Sequence, residues 1–342
     1  MQENNYYGNS LLVIIADKGK CSAILDYVLT LGIYGATAFR ARGTAPNRIL
    51  RFFELVKVSK EIIIIALPTS YEQEILKQLI DRFHFDCPNK GTIFTLHLSA
   101  VYGSKYLDHE PSKAREQVKY SPFQAVLTIV DKGRADSILD FVEEQGFPRG
   151  IIIDAHGVAG RSNVILNLKL EPEKEIILTI TTRSQAQRLA ALFTEYLNLL
   201  SANSGILAIM NIKQLVVSDP TLTTIGTKDE SESAKKMPGY SAILVIVNND
   251  MDEAVIKSAN LVGATGGTTI HARGSCAYHE KSSFCGSIRP EREIVLIISE
   301  DDRIEAICNR INEDLQLDQS GKGILLVLPL YDAIGLVPGK NV

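Results

Sequence analysis

Leu11-Leu12-Val13-Ile14-Ile15-Ala16-Asp17-Lys18-Gly19-Lys20 opens a pattern to which the chain returns. The continuous apolar run reads as a buried strand. Asp17 can cap the helix that follows, whose Ile24, Leu25, Val28 and Leu31 fall at helical spacing before Gly32. The segment Asp131-Lys132-Gly133-Arg134 repeats the turn at a shift of 114 residues. Arg42-Gly43 meets His156-Gly157, Lys60-Glu61-Ile62 meets Lys174-Glu175-Ile176, and Gly91 meets Gly205, all by the same shift. Ala272-Arg273-Gly274, Arg292-Glu293-Ile294 and Gly323 make a third appearance, displaced by 231 or 232 from the first. An offset this constant reads as one structural unit used three times.

Within the first unit, Thr37 to Arg42 and the β-branched Lys60 to Leu67 read as strands. Pro68 and Thr69 start a second helix with Ile75, Leu76, Leu79, Ile80 and Phe83 on one face, and Gly91 opens a strand over Thr92 to Leu98. The order β-α-β-β-α-β is the ferredoxin-like arrangement, an α+β fold. The second unit supplies strands at Ala125 to Val130, Ile151 to Ala155, Glu175 to Thr182 and Ile206 to Ile212. The third supplies Ala242 to Asn248, Thr268 to Ala272, Glu293 to Ser299 and Ile324 to Leu328. The expected division is repeat one at 1–102, a linker at 103–122, repeat two at 123–217, a linker at 218–240 and repeat three at 241–342. The charged run Lys228 to Ser233 in the second linker reads as a solvated tether.

A net charge of −4 over 342 residues gives no bulk attraction to nucleic acid or anionic membrane. The five cysteines, Cys21, Cys87, Cys276, Cys285 and Cys308, are odd in number and scattered, as free thiols in a reducing compartment are. Met1 to Ser10 is polar without a signal-peptide core, and apolar runs such as Ile62 to Leu67 are too short to span a bilayer. The expectation is a soluble cytoplasmic protein. The sequence contains no Walker A loop, HExxH or GxSxG, so no catalytic constellation is named and a non-enzymatic role is expected.

Four features in constant order carry a family resemblance. The third unit shows them as Gly266-Gly267-Thr268, Ala272-Arg273-Gly274, Pro290-Glu291-Arg292-Glu293-Ile294-Val295 and Gly321-Lys322-Gly323-Ile324. The first reads Gly35-Ala36-Thr37, Ala41-Arg42-Gly43 and Asn89-Lys90-Gly91-Thr92. The pattern resembles the PII signal-transduction family, the trimeric nitrogen-regulatory sensors, and in particular its divergent tandem members. The resemblance implies that the three units fold as an intramolecular PII-like pseudo-trimer, a monomer with nucleotide in the clefts between units. It implies control of a protein partner in nitrogen metabolism through loops, with ATP or ADP as a candidate ligand and no certain cofactor. The candidate ligand contacts are Thr37, Arg42, Gly43, Lys90 and Gly91 in the first unit. In the third they are Thr268, Arg273, Gly274, Gly321, Lys322 and Gly323.

These residue types suit phosphate. A Gly-Lys-Gly turn lets backbone N–H groups approach anionic oxygens and adds an ammonium charge, and arginine adds a fork of donors. The second unit has Ile151, His156 and Ser204 where the others have Thr, Arg and Lys, so its clefts are expected to be weak. Bland readings stand beside these. The Gly-Lys-Gly segment can be an ordinary turn, Arg42 and Arg273 can be loop anchors, and Lys60 and Arg292 can be strand-edge salt-bridge residues. The rival class is a degenerate scaffold that binds a protein partner with no small ligand. His271, Cys276, His279 and Cys285 cluster in the sequence, but their spacing matches no established zinc pattern.

Overall fold

A computed structural model describes residues 8–33, 35–44, 57–87, 90–104, 107, 118–148, 150–159, 164–165, 168–169, 172–201, 204–217, 239–274, 290–319 and 321–336. The first third of the chain forms β1 (Asn9–Asp17), α1 (Cys21–Thr30), β2 (Thr37–Thr44), β3 (Lys57–Pro68), α2 (Thr69–Phe83), β4 (Thr92–Leu98) and β5 (Ala100–Tyr102). The middle third forms β6 (Phe123–Asp131), α3 (Ala135–Glu144), β7 (Ile151–Ala159), the short pair β8 (Val164–Ile165) and β9 (Leu168–Lys169), β10 (Glu173–Thr182), α4 (Arg183–Tyr196) and β11 (Ile206–Val217). The last third forms β12 (Tyr240–Asn248), α5 (Asp252–Asn260), β13 (Gly266–Gly274), β14 (Glu291–Glu300), α6 (Asp301–Leu315), β15 (Gly323–Pro329) and β16 (Asp332–Ile334).

Helices arise where apolar residues recur at turn spacing. Cys21, Ile24, Leu25 and Val28 are the buried stripe of α1, and Ala135, Ile138, Leu139 and Val142 that of α3. Helix α2 follows Pro68 and stops at His84, whose φ of 58° is left-handed and ends the helical path.

The strands do not assemble as three ferredoxin-like repeats in a PII-like pseudo-trimer; that expectation is overturned. Fourteen strands share one sheet, and nine of them close into an antiparallel barrel. The ring runs β6-β11-β4-β1-β3-β2-β13-β7-β10 and returns to β6. From β13 the sheet continues through β14, β12, β15 and β5, and the inward residues of β12, β14 and β15 join the same central core.

The physical reason lies in the unhelical face. Along β1, Leu12 and Ile14 pack under helices while Leu11, Val13 and Ile15 point the other way, and all five are buried. A separate four-stranded sheet would leave that second face and both edges in water. Closing the strands edge to edge buries the face and pairs the edges together. The result is one central core from every third, enclosed by three helix-covered cores.

The thirds also exchange strands. β5 pairs with β15, the end of β11 pairs with β4, and β16 pairs with β11. The expected linkers at 103–122 and 218–240 fall mostly outside the described residues, and the first is preceded by β5, a strand the sequence did not announce. Among the described residues, no helix is long and apolar enough to cross a membrane.

Candidate functional site

In each third the end of the opening strand pairs with the start of a later one, at β1–β3, β6–β10 and β12–β14. Asp17 and Lys60 are register partners across β1 and β3, and the Lys60 ammonium donates to Asp17 Oδ1 at 2.6 Å. Lys20 donates to the other oxygen at 3.0 Å. The Lys60 hydrogen bond holds the Asp17 carboxyl below its ordinary pKa, against the opposing effect of burial. Asp131 and Lys174 repeat the pair at 2.5 Å.

The last third breaks the rule. Asn248 is the register partner of Arg292, so the carboxylate found twice elsewhere is replaced by a neutral amide. Among the described residues Arg292 has no ion pair, and burial alone lowers the pKa of its guanidinium. Its stem lies against Gly274, where an added Cβ would stand 3.1 Å from Nε and 3.3 Å from Cγ. Gly274 is therefore the floor for the arginine, and a larger residue would displace it. Lys322 is exposed in the turn before Gly323, and Gly323 pairs with Val247. β12, which carries Asn248, thus lies between β14 with Arg292 and β15, which Lys322 precedes, so the two backbone positions are two strand spacings, about 10 Å, apart.

A second set of contacts joins the thirds just beneath. Glu175 is buried and accepts from the N–H groups of Gly133 and Ala135, both at 2.9 Å, through Oε2. Its Oε1 accepts from Arg42 at 2.5 Å, and Arg42 also donates to Asp136 at 2.7 Å. Burial works against the Arg42 charge, but Asp136, Glu175 and Asp154 outweigh it and its pKa is raised. Glu61 is placed likewise: it accepts from Gly19 N–H at 3.0 Å and from Arg273 at 3.1 Å. Glu293 accepts from the N–H groups of Met251 and Asp252 at 3.0 and 3.1 Å, and His156 Nε2 lies 3.3 Å from Asp252. A helix N-terminus with free N–H groups is an anion site. Here the chain's own glutamates fill those positions at α1, α3 and α5.

The expected ligand residues therefore divide. Arg42 and Arg273 are engaged in ion pairs between thirds: Arg42 uses both terminal nitrogens, whereas Arg273 uses Nη2 alone and its side chain is 40% exposed. Thr37 and Thr268 are buried in the sheet, Thr37 in register with Gly274, and Gly43 pairs with Val58 and Ile151. Gly91 and Gly323 serve the backbone. Their φ values are +127° and +149°, and a Cβ would meet the carbonyl oxygens of Ile15 at 2.4 Å and Ile246 at 2.6 Å. Gly205 is hemmed in by Ile129 in the same way, which explains why it stays while its neighbours change. Lys90, Gly321 and Lys322 remain exposed at the rim.

Sequence reasoning passed over Glu61, Glu175 and Glu293 as functional partners and missed the exchange of Asp17 and Asp131 for Asn248. Both signals were present at the repeat offset. The His271 ring lies beside that of His156, tilted, with centroids 4.9 Å apart, while Cys276, His279 and Cys285 lie outside the described residues. Among the described residues no cluster of His, Cys, Asp and Glu could hold a metal ion.

No family model and no curated protein matches the chain. Among solved structures it is similar to aspartate kinase from Synechocystis, at 6% identity and a TM-score of 0.22, over 94% of this chain and 43% of that one. It is also similar to an anthrone oxidase-like protein, at 8% identity and a TM-score of 0.17, over 64% of this chain and 95% of that one. The chain thus spans less than half the length of the aspartate kinase chain, and both scores are too low to bear on what it does.

Proposed function

We propose that the protein is a non-enzymatic, PII-like signal-transduction protein that binds an adenine nucleotide or another small anionic metabolite at its barrel rim and relays occupancy to a protein partner. The observation that carries this reading is Arg292. It is partly buried, among the described residues it faces no carboxylate where its two counterparts do, and it stands one strand beyond Asn248 from the strand that the exposed Lys322 precedes. Removing an arginine from water without a counter-charge costs stability, and a bound phosphate or carboxylate would recover that cost. Ligand binding then shifts the population of the rim segments that join the strands, by as much as the ligand's differential affinity for their states. Nitrogen metabolism as the setting rests on the sequence resemblance alone.

The test is thermal unfolding of the full chain with and without millimolar ATP, ADP and 2-oxoglutarate, repeated for Arg292→Gln and Lys322→Ala. A ligand at about 100 times its Kd adds roughly 2.7 kcal/mol. The reading expects a shift with one of the three in the parent that falls in both variants. A flat response in the parent favours the second reading, a scaffold that binds a protein partner without a small ligand. The use of Arg42 and Arg273 in internal ion pairs is the observation on that side.

A further inference from the structure

The central core contains a cavity of about 100 Å³. Strands from all three thirds line it, and no polar atom contributes to its surface. A barrel of about eight strands has an interior that side chains just fill or that holds one small ligand, and diameter grows with strand number. Nine strands close this one and β12, β14 and β15 add to the lining, where two positions, Ala208 on β11 and Ala242 on β12, carry only a methyl group. The space left over is a consequence of closure combined with those small side chains. Water entering it would find no hydrogen-bond partner, and apolar cavities of about 150 Å³ stay dry and take up benzene or xenon.

We infer that the barrel interior is a binding site for a small, uncharged apolar molecule of that size class. It is separate from the charged rim and does not depend on the rim's ligand. Ile153, Leu178 and Met210 face the cavity from three different strands. Their methyl groups would supply the dispersion contacts that an empty void forfeits.

The experiment uses the full-length protein with methyl groups labelled for NMR, titrated with benzene and, separately, equilibrated under xenon. Saturable shifts are expected at the methyls of Ile153, Leu178 and Met210. They should be lost in Ala208→Leu and Ala242→Leu, which fill the space from two different strands, β11 and β12. If a filled variant does not fold, the map in the parent still decides, because it locates the ligand directly. Shifts absent from the cavity methyls would overturn the inference. So would shifts confined to the surface groove at Ala191, Thr194 and Leu200, or binding that persists undiminished in two folded filled variants.

Discussion

Arg42 on β2 and Glu175 on β10 lie 2.5 Å apart although 133 residues separate them in sequence. Glu175 also holds the first N–H groups of α3, so one carboxylate ties a helix terminus to a strand from another third. Truncating Arg42 leaves that buried carboxylate without its cation. Arg42→Met is expected to destabilise the protein by about 3 kcal/mol, the low end for breaking a buried pair from one side. Arg42→Lys should recover only part of this, because a point-charge ammonium cannot fork to Asp136 and Glu175 together. Urea unfolding of the three proteins checks both statements, and equal stability of Arg42→Met and the parent would remove the pair as a structural tie.

A second tie joins the middle third to the first. The ladder between β11 and β4 shifts register between Ile212 and Gln214, and the bulged Lys213 turns toward α2. There its ammonium donates to Glu72 at 2.5 Å and to Ser10 at 2.7 Å. Thr95 and Gln214 donate to the other Glu72 oxygen at 2.7 and 2.8 Å. Lys213→Met should therefore cost about 3 kcal/mol. Replacing both members, Lys213→Met with Glu72→Met, should cost less than the two single changes added together. A double-mutant cycle in urea gives the coupling directly, and additive costs would mean that the two residues act independently.

Asp17 provides a pH signature. Its folded-state pKa is lowered from 3.8 by Lys60 and Lys20, so its contribution is present above about 3.8 and is lost as pH falls through the lower folded value. The parent and Asp17→Asn should differ in Tm near neutrality and converge at the acid end. A difference that stays constant to the lowest accessible pH would contradict the assignment.

Cys308 is fully buried in α6, and burial pushes its thiol pKa up to about 12. Cys21 is also buried, whereas Cys87 is exposed. Iodoacetamide at pH 8 should label Cys87 in the native protein and reach Cys21 and Cys308 only after unfolding, because the thiolate is the reacting species. Peptide-resolved mass spectrometry reads all three. Rapid native labelling of Cys308 would mean that the α6 core opens readily.

Individual elements were legible because their signals are local. The run Leu11 to Ala16 reads as a strand from its short, continuous apolar character, and Ile24, Leu25 and Val28 read as a helix from their spacing. Closure of the barrel was not legible, because periodicity reports which residues are buried and not which edge meets which. β5 and β16 are three residues each and owe their existence to the edges of β15 and β11 from other thirds. The rim was legible by residue type but not by role. Arg42 and Arg273 carry the right chemistry for phosphate, yet Glu175 and Glu61 pair with them, and which carboxylate meets which cation is decided by how the strands close, not by residue type.

Asn248 offers the sharpest test of the rim. Asn248→Asp would give Arg292 the carboxylate that Asp17 gives Lys60 and Asp131 gives Lys174. Two effects follow from one added charge. The pair should stabilise the unliganded protein by up to about 1 kcal/mol, as for partly exposed pairs. It should also weaken the anion response, because the new carboxylate competes for the guanidinium and repels the ligand. Paired melting curves with and without the responding nucleotide separate the two: Tm rises without ligand, and the ligand-induced shift shrinks. If the substitution raises the unliganded Tm and leaves the shift intact, Arg292 is a structural cation and the ligand sits elsewhere on the rim.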